Sequence, residues 1–382
     1  MILSDAESVQ PPDAVGRSYP LVLAGAGHAH LVMLRLWIEA GWQPPAGTVL
    51  ISSGNKAWYS GMMPGLIAGR FELNTCAIAL LPLCQRLGIT LLQASVTAMD
   101  SQQQRVELDN GEHLHYQLLS INTGSQPVAP AQLDGSVSIL PAKPFPEFIH
   151  QWQHWQTQMP SSVMVLGGGA AAFELGMALR QQFPACELSL ACSGDLLQSH
   201  GPALRTLALQ WLARADIAVF EHSRVDAVMH QQAFAGELPL RRIDALILAT
   251  GASALPWYSR SALTCDSQGF INVDRCLRSS DARVFVAGDA ASLAGSLRSG
   301  VYSVRHGPVL AHNLRAAVSG HTLLEYKPQP NALALLATGN GGALMSYGRF
   351  VLGGQLSAPL LGRWKDYLDQ SFMRRHRLLT QV

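Results

Sequence analysis

The hydrophobic pattern announces its first element early. Residues 20–24 form a short apolar run that leads into Gly25-Ala26-Gly27-His28-Ala29-His30. A helical repeat follows, with Leu31, Leu34, Trp37 and Ile38 on one face, and Gly41 supplies a stop. Residues 48–52 are again apolar, so the order predicts a β-α-β unit that opens on a glycine turn. The same order returns later: an apolar run at 162–166, the turn Gly167-Gly168-Gly169-Ala170-Ala171-Ala172, a helical stretch at 173–182 and a strand at 187–191. Between the two units, apolar or alternating runs at 96–109 and 113–122 flank Asn110-Gly111, a strong hairpin signal. Residues 333–338 and 343–347, joined through Gly339 to Gly342, predict a second hairpin, and 361–378 predict a helix. Proline clusters at 141–146 and 328–330 predict linkers, and 1–18 a loose polar tail.

Composition narrows the class. Of 382 residues 48% are hydrophobic and 14% charged, enough to build a large core and to exclude disorder, collagen-like and coiled-coil structure. The net charge of +1 gives no overall field to gather nucleic acid. The six cysteines, at 76, 84, 186, 192, 265 and 276, form no C-x-x-C and no zinc spacing, which excludes a disulfide scaffold. The acidic start has no signal-like apolar run, and no apolar stretch is long enough to span a membrane. The expected compartment is the cytoplasm.

A turn between strand and helix leaves backbone N–H groups unpaired where the helix dipole is positive, a site suited to a pyrophosphate. Gly25 and Gly27 fill the roles of tight bend and close phosphate approach; His30 stands where a third glycine is usual. Two such turns in one chain are far stronger evidence than one. His28 and His30 point to different faces of a helix, so no metal site is expected.

Three further segments carry a resemblance: Ser120-Ile-Asn-Thr123-Gly124-Ser125-Gln-Pro127, Leu248-Ala-Thr250-Gly251-Ala252 and Arg283-Val-Phe-Val-Ala-Gly288-Asp289-Ala290. With the two turns they resemble the two-dinucleotide-binding-domain flavoproteins, which include type II NADH dehydrogenases, sulfide:quinone reductases and disulfide reductases. The resemblance implies an α/β fold of two doubly wound Rossmann-like domains, the second inserted in the first, with a small C-terminal unit. FAD-binding parts are expected at 19–141 and 258–330, an NAD(P)-binding domain at 142–257, and a hairpin with an amphipathic helix at 331–382. The segments at 27–31, 59–65, 300–308 and 372–375 resemble a narrower branch, NADH-dehydrogenase-like flavoproteins found fused to, or beside, selenide, water dikinase. That branch implies this kinase as a partner.

Residue by residue, the resemblance implies FAD contacts from Gly25, Gly27, His28, Ala29 and His30 at the first turn. Ser52 and Ser53 stand at the ribose, where an acid is usual, and Val96 completes that end. Thr123, Gly124 and Ser125 follow, Gly288 and Asp289 hold the ribityl chain, and Tyr59, Met63 and Pro64 wall the ring. Gly300 and Val301 start a helix aimed at its pyrimidine edge. NAD(P)H is expected at Gly167, Gly169, Ala170, Thr250 and Gly251. Glu174 and Tyr302 are the implied catalytic residues, with Arg305 and His306 as further candidates beside the acceptor. The stretch Ala191-Cys192-Ser193-Gly194-Asp195 has neither acid nor base at the strand end, so NADH and NADPH both stay open.

No redox cysteine pair of the disulfide reductases is present. The implied activity is therefore an NAD(P)H dehydrogenase that hands electrons from flavin straight to a small acceptor, a quinone or similar oxidant. Selenium or sulfur species are an alternative acceptor, and an FAD-holding redox sensor with little turnover is a third reading. Residues 361–378 place Leu361, Trp364, Leu368 and Phe372 at helical spacing beside Tyr367, with five basic residues against two acidic ones. Such a helix suits an anionic membrane surface, the role its counterpart has in type II NADH dehydrogenases; packing on the flavin domain or a dimer contact is the alternative. The expected localisation is cytoplasmic or peripheral on the inner face of the cell membrane.

Overall fold

The computed structural model describes residues 18–329 and 331–379. The expected tail lies outside the described residues except for Ser18, which already belongs to the first strand, Ser18–Ala24. Nearly continuous apolar runs produce strands buried on both faces, as parallel sheets require. Such strands build two sheets.

In the first, the order is Thr90–Gln93, Val49–Ser52, Ser18–Ala24, His113–Ile121, Arg105–Leu108 and Val96–Asp100, with Val284–Val286 also pairing with His113–Ile121. The Asn110-Gly111 turn joins the antiparallel pair Arg105–Leu108 and His113–Ile121, as the sequence predicts. The second sheet is fully parallel: Ser138–Pro141, Ala245–Leu248, Ser162–Leu166, Glu187–Ala191 and Ile217–Phe220. Both glycine turns thus leave the C-terminal end of a central strand, the usual ligand edge of an open α/β sheet.

The expected boundary at 141/142 shifts. Ser138–Pro141 pairs with Ala245–Leu248, so this strand goes with the second sheet rather than the first. The expected linker at 141–146 already includes the start of the helix Phe145–Thr157, whose Phe148, Trp152 and Trp155 are buried. Trp155 anchors it by donating its indole N–H to Ser138 Oγ at 3.1 Å. Burying rings of this size contributes on the order of 2–3 kcal/mol each. A small mixed sheet caps the second unit: Gln132–Leu133 runs parallel to Ala227–Met229, and Gln232–Ala235 and Leu238–Arg242 follow antiparallel. The sequence reading gave no sign of it, because short strands alternate over too few residues.

Two helices bring the rest against the first unit. His28–Glu39, the helix of the first turn, packs on Gly300–Ser319, where Gly307 permits the approach: a Cβ there would lie 2.5 Å from Val32 Cβ. The C-terminal unit is the hairpin Ala334–Ala337 with Ala343–Tyr347, a third strand Phe350–Leu352, and the helix Ala358–Arg377. That helix meets the hairpin loop closely, since a Cβ at Gly362 would stand 1.9 Å from Gly341 O.

Candidate cofactor and electron-transfer site

At the first turn, the Gly25 N–H donates to Ile51 O at 2.8 Å, which ties the bend to the neighbouring strand. Gly25 has φ +89°, and a Cβ there would meet Asn122 O at 2.6 Å, so both conformation and space demand glycine. Gly27 is closed by the Asn122 side chain, 2.5 Å from where its Cβ would be. Asn122 links the site together. Its Oδ1 accepts from the His30 N–H at 3.1 Å, its Nδ2 donates to Ala287 O at 2.9 Å, and its own N–H donates to Ala24 O at 2.7 Å. In the sequence Asn122 stands out only as an amide that ends an otherwise apolar strand within the 120–127 motif.

His30 does not leave an opening in place of the third glycine. Its ring is fully buried, with Nδ1 2.5 Å from Gly25 O and Nε2 2.8 Å from Ser120 Oγ. Burial lowers its pKa to about 4, so it is neutral and cross-links the turn to the adjacent strand. Both of its ring nitrogens are thus occupied within the protein, and what the residue offers a ligand at this turn is its backbone. Ser52 is buried and Ser53 exposed beside this turn, and Val96 is half-buried at the start of its strand.

Asp289 lies across the same cradle, almost buried. Its Oδ2 forms an ion pair with Lys143 and accepts from Ser125 Oγ at 3.3 Å, while its Oδ1 is buried with no partner. Burial alone would push this carboxyl up, but the Lys143 ammonium outweighs it and keeps the pKa below the ordinary carboxylate range. An orphaned, ionised oxygen facing a glycine-lined cradle fits the hydroxyls of a ribityl chain. Lys143 was missed by the sequence reading because it sits in the segment read as a linker. Gly288 (φ +69°) is held by its N–H, which donates to His306 Nδ1 at 3.0 Å. His306 is buried, and burial lowers its pKa to about 4. It therefore positions the Gly288 backbone as a neutral acceptor rather than standing free beside an acceptor. The helix Gly300–Ser319 begins without a side-chain cap, with Gly300 and Val301 exposed, so its first N–H groups are open.

The wall opposite is aromatic. Tyr59 stacks on Phe372 of the C-terminal helix with centroids 4.4 Å apart, and the His28 ring lies 5.4 Å from Tyr59. Met63 and Pro64 are buried beneath. His28 Nε2 is buried without a partner, and burial lowers the His28 pKa to about 4.

At the second turn the Gly167 N–H donates to Ala191 O at 2.9 Å, matching Gly25. A Cβ on Gly167 would approach Ala249 O to 2.1 Å, whereas nothing lies near one on Gly169, which is exposed with Ala170 behind it. Gly251 is likewise exposed with open space around it. Cys192 packs under Gly168, and burial pushes its thiol up to about 11, so it is an inert wall residue. All six cysteines are free.

Four side chains sit differently from expectation. Glu174 faces the C-terminal unit: Oε1 accepts from the Ala337 N–H at 2.8 Å and lies 4.0 Å from Lys365 Nζ. Burial holds its pKa above the ordinary range. Tyr302 is buried and its hydroxyl donates to Gln329 O at 3.4 Å. Thr123 hydrogen-bonds Tyr258 OH at 2.8 Å. Thr250 Oγ1 bonds Val128 N and O at 2.7 and 2.8 Å, fastening the two crossing segments between the sheets. At these two threonines only the backbone is left for a cofactor.

Residues 19–316 match the pyridine nucleotide-disulphide oxidoreductase family, and the chain belongs to it. It is an FAD-dependent NAD(P)H oxidoreductase. Among curated proteins it is 24% identical over 296 residues to ferroptosis suppressor protein 1 of Taeniopygia guttata, covering 72% of this chain and 74% of that one. It is 30% identical over 206 residues to the nitric oxide reductase FlRd-NAD(+) reductase of Vibrio vulnificus, 52% of each chain. Among solved structures, the sulfide:quinone oxidoreductase of Aquifex aeolicus superposes with a TM-score of 0.74 at 16% identity, covering 95% of this chain and 92% of that one.

Proposed function

We propose that this protein passes electrons from NAD(P)H through FAD to a quinone-like acceptor, with no redox disulfide between them. The observation that carries the reading is the pairing of an orphaned, ionised Asp289 with six free, unpaired cysteines. The first unit would hold FAD: the Gly25–Gly27 turn takes the pyrophosphate, Asp289 Oδ1 the ribityl hydroxyls, and Tyr59, Met63 and Pro64 one side of the ring. The open N–H groups at Gly300 and Val301 favour negative charge at the ring edge. The second turn, with Gly167, Gly169 and the backbone at Thr250 and Gly251, would take NAD(P)H. Bound FAD supplies hydride acceptance and release; the chain orients both partners and tunes their surroundings.

A membrane-borne acceptor is supported by the C-terminal helix. No described helix is long and apolar enough to cross a membrane. Yet Leu356, just before this helix, and Leu360 and Tyr367 on it are 96, 65 and 61% exposed, with Trp364 and Leu368 beside them and Arg363, Arg374 and Arg375 exposed along the helix. An apolar row flanked by guanidinium groups suits insertion at the interface of an anionic bilayer. The relatives point the same way only by name, since one is called a sulfide:quinone oxidoreductase.

The test is NAD(P)H oxidation with a panel holding a soluble quinone, selenite and polysulfide, beside co-sedimentation with anionic vesicles. The expected outcome is quinone turnover far above that of free FAD, and vesicle binding lost in Leu360→Glu/Trp364→Glu. Turnover confined to selenite or polysulfide would move the assignment to selenium or sulfur chemistry and revive a link to selenide, water dikinase. Rates equal to free FAD with every oxidant would favour a sensor.

A further inference from the structure

A buried titratable cluster lies beside the aromatic wall; the role given above to the Tyr59 ring leaves its hydroxyl and the groups bonded to it unassigned. The Tyr59 hydroxyl donates to Asp369 Oδ1 at 3.1 Å. Lys365, one turn earlier on the same helix, donates to Asp369 Oδ2 and to Gly61 O, both at 2.9 Å. Asp369 and Lys365 are almost buried, their side chains 9 and 13% exposed. Gly61 makes the contact feasible, because a Cβ there would stand 2.8 Å from the Tyr59 ring and 3.1 Å from Asp369 Oδ1.

The cluster has two ends. On one side Tyr59 carries its ring against His28 and Phe372, in the cofactor cradle. On the other, Asp369 and Lys365 line a crevice of about 10 Å³ with Gly61, Gly65, Arg70 and Asp366, room for about one water. Its rim is the half-exposed ion pair of Arg70 and Asp366 at 2.5 Å. A polar path therefore runs from the crevice through Asp369 to the Tyr59 oxygen.

We propose that Asp369 and Tyr59 carry a proton from this crevice to the reduced acceptor at the cradle. The proposal rests on the quinone-class reading above. A quinone that receives hydride gains two electrons and one hydrogen and is left an anion, one proton short. The Tyr59 O–H bond breaks as an O–H bond forms on that anion. The Asp369 carboxyl returns a proton to the Tyr59 oxygen, and crevice water reprotonates Asp369. One proton enters from solvent, one leaves on the acceptor, and no electrons move along the path. Protonation of Asp369 also reverses its hydrogen bond, so that Tyr59 accepts there and its own hydrogen is released towards the cradle.

The charges around Asp369 suit a carboxyl that gains and loses a proton. Facing it are Tyr59 and Arg70 from the 59–71 segment, Cys76 behind them, Glu174 from Ala170–Gln182, and Lys365 and Asp366 on its own helix. Burial raises its pKa, Lys365 and Tyr59 oppose that, and the net direction is up. Lys365 stays charged: burial disfavours its ammonium, but Glu174 and Asp369 more than compensate.

Rapid-mixing reoxidation of the reduced holoenzyme tests this with two oxidants, a soluble quinone and ferricyanide, which takes one electron and no proton. In Tyr59→Phe and Asp369→Asn the quinone-to-ferricyanide rate ratio should fall about 100-fold, the scale of a lost general acid. An unchanged ratio, whether both rates fall together or neither does, overturns the proposal. Wild-type protein reoxidised by ferricyanide but by no quinone overturns the functional reading instead. A second arm needs no turnover: NMR titration of isotope-labelled aspartate carboxyls in cofactor-free protein. The Asp369 resonance should titrate above the ordinary carboxylate range and move higher in Tyr59→Phe, which removes its donor. An Asp369 that titrates normally and ignores Tyr59 contradicts the coupled pair.

Discussion

The two glycine turns share a backbone plan and differ in what closes it. In each, the first glycine donates to the end of the neighbouring strand, and its missing side chain makes room for a carbonyl, Asn122 O in one and Ala249 O in the other. Asn122 and Ala249 occupy matching places before Thr-Gly in the two units. At Ala249 a methyl group suffices, because the parallel sheet and turn are all that meet there. At Asn122 a third segment arrives, the strand Val284–Val286 leading to Gly288 and Asp289, and the amide ties it to the turn through Ala287 O. His30 then adds the cross-link to Ser120 that a glycine would lack. The fingerprint specifies a bend, while neighbouring side chains decide how firmly the bend is coupled to the rest of its site.

The largest effects come from filling the bends. Gly167→Ala should abolish NAD(P)H-dependent flavin reduction with flavin retained, and Gly25→Ala should abolish flavin retention. Each forces a Cβ onto a carbonyl at a positive φ, and costs about 3 kcal/mol or more by local strain. Retained yellow colour at wild-type stoichiometry in Gly25→Ala would break the assignment of the turns.

Exchanging the closing residues should come next. Asn122→Ala leaves the His30 N–H and the Ala287 carbonyl without partners, a loss of about 2–4 kcal/mol in denaturant unfolding. Ala249→Asn overfills a buried site, at about 1–3 kcal/mol, without affecting flavin retention. Equal flavin loss in the two variants would erase the distinction drawn here. His30→Gly restores the missing third glycine, yet it should weaken the protein by about 1–3 kcal/mol, because Ser120 and Gly25 O lose their partner. A gain in stability would mean that His30 is a tolerated departure and not a cross-link.

The smallest effect is graded. His30 and His306 are buried with pKa values near 4, against an ordinary 6.5. Below pH 6.5 the unfolded chain binds protons that the folded chain refuses. Stability should therefore fall as pH drops from about 6.5 towards 4, by roughly 1.4 kcal/mol per unit for each histidine, and level off below. The slope should diminish in His30→Gln, as followed by urea midpoints.

Much of the fold was legible because its signals are local. The strand–turn–helix units, the Asn110-Gly111 hairpin and the Gly288-Asp289 strand end each lie within a short window of sequence. The site's couplings were not legible, because they join residues far apart in the chain. His30 meets Asn122, Lys143 meets Asp289 and Glu174 meets Ala337 only after the sheets have formed. The C-terminal helix shows the limit of periodicity. Leu361, Trp364, Leu368 and Phe372 read as one face, but Leu361 is buried and Phe372 stacks on Tyr59, while Trp364 and Leu368 stay exposed. A helix packed on one side and apolar on part of the other defeats a single-face reading.

Direct transfer through flavin without a thiol relay is open to an anaerobic reductive titration of the purified holoprotein. The predicted result is full bleaching at one equivalent of NAD(P)H per FAD, with all cysteines still titrating as thiols beforehand. Uptake of a second equivalent before bleaching is complete, or FAD that stays oxidised under excess NADH and NADPH, would contradict it.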